Sequence, residues 1–168
     1  MKKKQFIEGK IVEVDMPLDE IKKLIAERMI TGAFPCENDL EVYLPQVLSR
    51  IPEKDLEYLL FELDIVIMQF AANTVIKFET PEEVIGKTFV AFQSNLTELS
   101  KSKRTYIIAH EFAHVFLGHD HGMIERVPEA EIEADNLVIK WGFEKELRES
   151  GLSYLEGSNK FITTPGIF

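Results

Sequence analysis

Residues 101–119 read K-S-K-R-T-Y-I-I-A-H-E-F-A-H-V-F-L-G-H, and no other stretch restricts the folding of this chain so severely. Ser100 or Ser102 can cap a helix here and Gly118 can stop it. Between them, Tyr106 to Ala109, Phe112, Ala113 and Val115 to Leu117 place apolar groups on every side, which predicts a helix buried nearly all round. His110, Glu111 and His114 are buried with it. An unpaired buried polar group costs about 1–3 kcal/mol and a buried charge more, so such a helix enters a core only if something satisfies all three.

Their spacing, His110-Glu111-x-x-His114, says what that something is. At 3.6 residues per turn the two histidines differ by about 40° around the axis, so both imidazoles project from one face and can share one metal ion. Glu111 is turned roughly 100° from His110, too far to join them comfortably as a ligand but near enough to reach a metal-bound water. A zinc ion (Zn2+) held by two neutral histidines and one carboxylate keeps an open position, where bound water has its pKa lowered to about 7 and becomes a nucleophile. Glu111 then suits the general base, taking the proton from that water and passing it to a leaving amine. The plainer alternative is two core histidines satisfied by other side chains; a metal satisfies every group at once and is the stronger reading.

A third ligand is expected from P-E-A-E-I-E-A-D, residues 128–135, which opens another helix with Pro128 in a permitted first-turn position. On a wheel of 100° per residue starting at Glu131, Ala130, Ala134, Leu137, Val138 and Trp141 fall at roughly 240° to 340°, and Ile132 and Ile139 near 80° to 100°. Glu131 and Asp135, at about 0° and 40° on that wheel, lie between the two apolar flanks and face inward. Glu133, near 200°, shares an arc with Glu129, Asn136 and Lys140, the pattern of a solvated face. Glu131 is therefore favoured as ligand over Glu133, with Asp135 accepting a ring N–H of a ligating histidine. Asp120 is a rival, because zincins with H-E-x-x-H-x-x-G-x-x-[HD] place their third ligand six residues after the second histidine. That class needs Gly where Leu117 stands, and Met123 follows too soon for its methionine turn. His119 and His121 read as exposed loop histidines.

Composition bounds the rest. The 168 residues are 45% hydrophobic and 29% charged, with no repeat, low-complexity tract or long linker, which predicts one domain over 1–168. Lys plus Arg number 19 against 29 Asp plus Glu, a formal charge of -10, so direct nucleic-acid binding is not expected. Apolar runs such as Ile65 to Met68 fall far short of the roughly 20 residues of a membrane span, so no membrane association is expected. Lys2 to Lys4 are not followed by the apolar stretch of a signal peptide. Cys36, alone and unable to form an internal disulfide, fits a cytoplasmic protein and reads as an ordinary loop thiol. The tail F-I-T-T-P-G-I-F, residues 161–168, is apolar enough to dock on the domain or contact a partner.

The elements predict an α+β fold. Phe6 to Val14 reads as a strand and Leu18 to Met29 as an amphipathic helix ending at Thr31-Gly32. Asn38 to Phe61 reads as helix in two pieces, since Pro45 and Pro52 suit a helix start or break. Strands are expected within Leu63 to Phe70, Asn73 to Phe78 and Lys87 to Gln93. This makes an N-terminal helical part, 1–60, and a core, 61–168, in which a short sheet packs on the H-E-x-x-H helix.

The stretch from about Lys87 to Trp141 resembles the ImmA/IrrE family of small bacterial and phage metallopeptidases, which have a gluzincin-type active site. The resemblance rests on a strand, Thr88 to Gln93, leading into R-T-Y-I-I-A-H-E-F-A-H-V-F-L-G-H, then on Glu131-x-x-Ala134-Asp135; the family pattern is H-E-x-x-H, often with L-G-H after it, then E-x-x-A-[ND]. It implies a small zincin-like domain, metal binding by His110, His114 and Glu131, a general base at Glu111 and a supporting acceptor at Asp135. It also implies a substrate-pairing edge strand at Phe89, Val90, Ala91 and Phe92. The chain departs from the family in reading L-V-I-K-W-G-F, residues 137–143, where members often have Phe-Ala-x-x-Leu-Leu-x-Pro, which suggests a side branch. Many members cleave a helix-turn-helix repressor fused to them or encoded beside them, and the first 60 residues show no such module. The expected activity is hydrolysis of an internal peptide bond in a protein or peptide substrate, such as a repressor. An oxyanion donor is sought among Tyr106, Arg126 and Tyr154. The alternative is a metal-stabilised binding or regulatory protein that does not cleave; a structural zinc, however, normally fills all four positions and has no use for Glu111.

Overall fold

The computed structural model describes residues 2–7, 10–15, 23, 29–31, 39–63, 65–70, 86–119 and 128–155. The chain opens on two antiparallel strands, β1 (Lys2–Ile7) and β2 (Lys10–Asp15), with Ile7 opposite Lys10. The single strand expected over Phe6 to Val14 is thereby corrected to a hairpin.

Met29–Thr31 form β3, which corrects the end of the helix expected up to Thr31. Lys23 is helical; the remainder of that expected helix, from Leu18 to residue 28, lies outside the described residues. The physical reason for the strand is tertiary: Met29, Ile30 and Thr31 pair with Ile67, Met68 and Gln69 of β4 (Ile65–Phe70). β4 also pairs in parallel with β5 (Thr88–Gln93), giving the order β3-β4-β5. β3 comes from the N-terminal part, which is therefore not purely helical. The strand expected over Asn73 to Phe78 lies outside the described residues.

Between β3 and β4 run α1 (Asp39–Leu48) and α2 (Glu53–Glu57), the latter continuing into one π-helical turn at Tyr58–Glu62. Pro45 sits inside α1 rather than at a helix start or break. A proline there removes one helical hydrogen bond, a cost of about 3 kcal/mol. Leu40, Leu44 and Leu48, all fully buried, give the helix a packed face that offsets it. The break falls at Pro52, which precedes α2 as expected.

The central element is α3 (Lys101–Leu117), which packs against α1, β5, α4 (Pro128–Lys140) and α5 (Glu144–Ser150). Its N-terminus is capped by Ser100, whose hydroxyl accepts from the Lys103 N–H at 3.3 Å. Ser102, the other candidate, instead donates to Glu149 at 2.5 Å. At the other end Gly118 takes φ 67°, a left-handed turn open to glycine. The N–H of Gly118 then reaches the Val115 carbonyl at 3.1 Å and that of His119 the His114 carbonyl at 3.1 Å, the Schellman closure. Burial matches the sequence pattern over most of α3, with Phe112 fully buried and its ring 6.4 Å from that of Phe92 on β5. Ile107, Glu111 and Val115, spaced by four, form a half-buried strip along one side. The architecture is α+β, a small parallel sheet and helices around α3. No described helix is long and apolar enough to cross a membrane.

Candidate metal centre

Two helices build the centre. One turn of α3 separates His110 from His114, and both rings leave the same face, their Nε2 atoms 3.0 Å apart. From α4, whose first turn is fixed by Pro128, Glu131 reaches in so that its Oε2 stands 3.0 Å from His110 Nε2 and 3.7 Å from His114 Nε2. All three side chains are buried, and among the described residues this is the group of His, Cys, Asp and Glu that could hold a metal ion. Of the expected ligands the structure thus brings together His110, His114 and Glu131. Glu133 is turned away: its side chain is 64% exposed and its carboxylate meets His119, not the cluster. Asp120, His121, Cys36, Arg126 and the tail 161–168 lie outside the described residues.

Asp135 stands one helical turn beyond Glu131 and is fully buried. Its Oδ1 lies 3.0 Å from His110 Nδ1 and accepts the Tyr106 hydroxyl at 2.7 Å, while Oδ2 accepts the Tyr154 backbone N–H at 2.7 Å and the Ser153 hydroxyl at 3.3 Å. Carboxylates can only accept, so His110 donates from Nδ1 to Asp135 and from Nε2 to Glu131, and the Nε2 proton is the one a metal ion would displace. Behind the ring, Tyr154 stacks at 6.1 Å between centroids. Three of these partners were hidden from sequence reading. Tyr106 had a signal, because it precedes His110 by four and shares its face; Ser153 and Tyr154 had none.

Tyr106, a candidate oxyanion donor by sequence, has another place in the structure. Its hydroxyl donates to Asp135 and lies 3.2 Å from Nδ1 of His110, the nitrogen opposite the converging Nε2. Burial, then the charge of Asp135, pushes its hydroxyl well above the ordinary tyrosine range, so it stays a neutral donor.

The titratable groups are strongly coupled. Burial alone would depress His110, but the hydrogen bonds to Asp135 and Glu131 and the charge of Glu111 outweigh it and push the imidazole up to about 9. Burial would likewise raise Glu131; the hydrogen bonds and charges of His110 and His114 hold its carboxyl far below the usual range. The cluster is therefore a carboxylate whose negative charge is retained beside the raised imidazole of His110, whose proton a metal cation can replace. Glu111 is not one of the converging groups. It lies on the half-buried strip of α3, beside the cluster and open to solvent on one side.

The expected edge, Phe89 to Phe92, lies on β5, which stands at one end of the described order β3-β4-β5 and packs on α3. Val90 and Phe92 point into the core, Phe89 is half-buried and Ala91 is exposed. Any pairing along this edge would use backbone groups. Comparison with protein-family models, curated proteins and solved structures gives no match.

Proposed function

We propose that this chain is a zinc-dependent endopeptidase with a zincin-like core, related to the ImmA/IrrE metallopeptidases, and that His110, His114 and Glu131 are its metal ligands. The observation that carries the reading is the convergence of two imidazole Nε2 atoms and one carboxylate oxygen within 3.0 to 3.7 Å of one another. Ligands about 2.0–2.2 Å from a tetrahedral zinc are separated by roughly 3.3 Å, so the donor set fits that ion in kind and in spacing. Three protein ligands leave a fourth position for substrate chemistry, whereas structural sites normally close all four.

Bound zinc would supply a Lewis acid that makes water nucleophilic near neutral pH. The protein's own groups do the rest. Asp135 holds the His110 ring in one tautomer and orientation through Nδ1. Glu111, partly solvent-open beside the cluster, takes the proton of the attacking water and hands it to the departing amine. By the family resemblance, β5 over Phe89 to Phe92 is the strand along which an extended peptide would pair. The substrate class is a protein, with a transcriptional repressor as the family resemblance suggests. A formal charge of -10 favours a basic partner by long-range attraction.

Glu111→Gln tests the mechanism. It preserves shape and should leave zinc bound while peptide hydrolysis falls by about 100-fold or more. Full hydrolysis by that variant would exclude Glu111 as base, and zinc binding without hydrolysis by the unaltered chain would favour a non-cleaving regulatory protein.

A further inference from the structure

The two imidazoles of the centre are backed differently on their Nδ1 sides. His110 is backed directly by Asp135, but on the far side of His114 stands another histidine, with His114 Nδ1 2.9 Å from His119 Nδ1. His119 in turn places Nε2 3.1 Å from Glu133 Oε2. The sequence places His119 here through the Schellman closure: Gly118 reverses the chain, the His119 N–H closes onto the His114 carbonyl at 3.1 Å, and the two rings come to 5.1 Å between centroids. The His119 side chain is only 13% exposed, which is not how an unconstrained loop histidine behaves.

We propose that His119 and Glu133 are positioning residues that fix His114 as a metal ligand, a carboxylate–histidine–histidine relay parallel to the direct Asp135–His110 contact. The proposal rests on the metal reading above. Its proton placement follows from the partners. Glu133 can only accept, so His119 carries its proton on Nε2 and leaves a lone pair on Nδ1. That lone pair accepts from Nδ1–H of His114, which leaves His114 Nε2 unprotonated and aimed at the cluster. With a metal ion in place of the His110 Nε2 proton, both ligand rings would present Nε2 and be held through Nδ1 by partners on opposite sides. His119 cannot itself be a ligand in this arrangement, because its Nδ1 meets the Nδ1 side of His114, away from Nε2.

The experiment is zinc competition against a chromophoric chelator, on the full chain, with thermal unfolding of the zinc-free protein measured alongside. His119→Phe keeps ring volume but offers no acceptor; His119→Asn keeps an acceptor near the Nδ1 position in a smaller side chain. If His119 positions His114, the Phe variant loses affinity about 10- to 100-fold, the size expected for removing an outer partner of a ligand, and Asn recovers part of it. Glu133→Gln gives a smaller loss, absent when His119 is already Phe. A purely packing role would reverse the order, with Phe the better replacement, and would overturn the proposal. So would wild-type affinity in the Phe variant, or a complete loss equal to that of His110→Ala, which would make His119 a ligand. Should His119→Phe not fold, Glu133→Ala on the exposed surface still decides, since it removes the acceptor outright and unchanged affinity there breaks the relay. His110→Ala separates the two layers: if it binds zinc as tightly as the natural chain, the metal reading itself is wrong.

Discussion

Asp135 gathers more donors than any other side chain of the centre: a tyrosine hydroxyl, a ring N–H, a serine hydroxyl and a backbone N–H. Replacing it by Asn puts an N–H2 group where an acceptor is required, so at least one buried donor loses its partner. Asp135→Asn should weaken zinc binding by about 10- to 100-fold. The zinc-free protein should also lose about 1–3 kcal/mol in urea unfolding. Unchanged affinity would show that the orientation of His110 is set elsewhere. Asp135 and Glu131 were legible in the sequence because a helical wheel fixes their direction once the apolar flanks are placed. The same wheel gives Ile132 and Ile139 an inner flank, yet only Ile139 packs against the core, and Ile132 is 38% exposed. His119 was misread for a related reason: its position depends on the backbone reversal at Gly118, which periodicity does not encode.

At the scale of elements, α1 is tied to the joint between α4 and α5 by Arg50. Its guanidinium donates to the Gly142 carbonyl at 3.2 Å and to Glu146 at 2.5 Å, and lies 4.1 Å over the Phe143 ring. The hydrogen bond from Arg50 holds the Glu146 carboxyl below its ordinary value. A carboxylate depressed in the folded state stabilises above its unfolded pKa and loses that contribution as pH falls through its folded pKa. Unfolding measured between neutrality and about pH 3 should therefore show an acid-dependent loss that Glu146→Gln reduces; because Arg50 is partly exposed, the difference should be at most about 1 kcal/mol. An identical pH profile in the variant would remove this tie from the account. Elements with local signals were readable: Ser100 and Gly118 bound α3, Pro128 starts α4, and the β-branched runs became β4 and β5. β3 and the interior Pro45 were not, because pairing with β4 and the burial of Leu40, Leu44 and Leu48 override local preference.

For the whole molecule, the centre joins α3 to α4, and Asp135 adds the segment at Ser153 and Tyr154, so metal binding and folding should be linked. Zinc at 100 times its dissociation constant should stabilise the chain by about 2.7 kcal/mol, raising Tm by several degrees, and a chelator should reverse the rise. A Tm indifferent to zinc would mean that the cluster is satisfied by its own hydrogen bonds. The most direct measurement is anomalous X-ray diffraction at the zinc edge from crystals of the zinc-loaded protein. One peak is expected, within about 2.0–2.2 Å of His110 Nε2, His114 Nε2 and a Glu131 carboxylate oxygen, with no fourth protein ligand. A peak elsewhere, a fourth protein ligand, or no peak at the cluster would contradict that expectation.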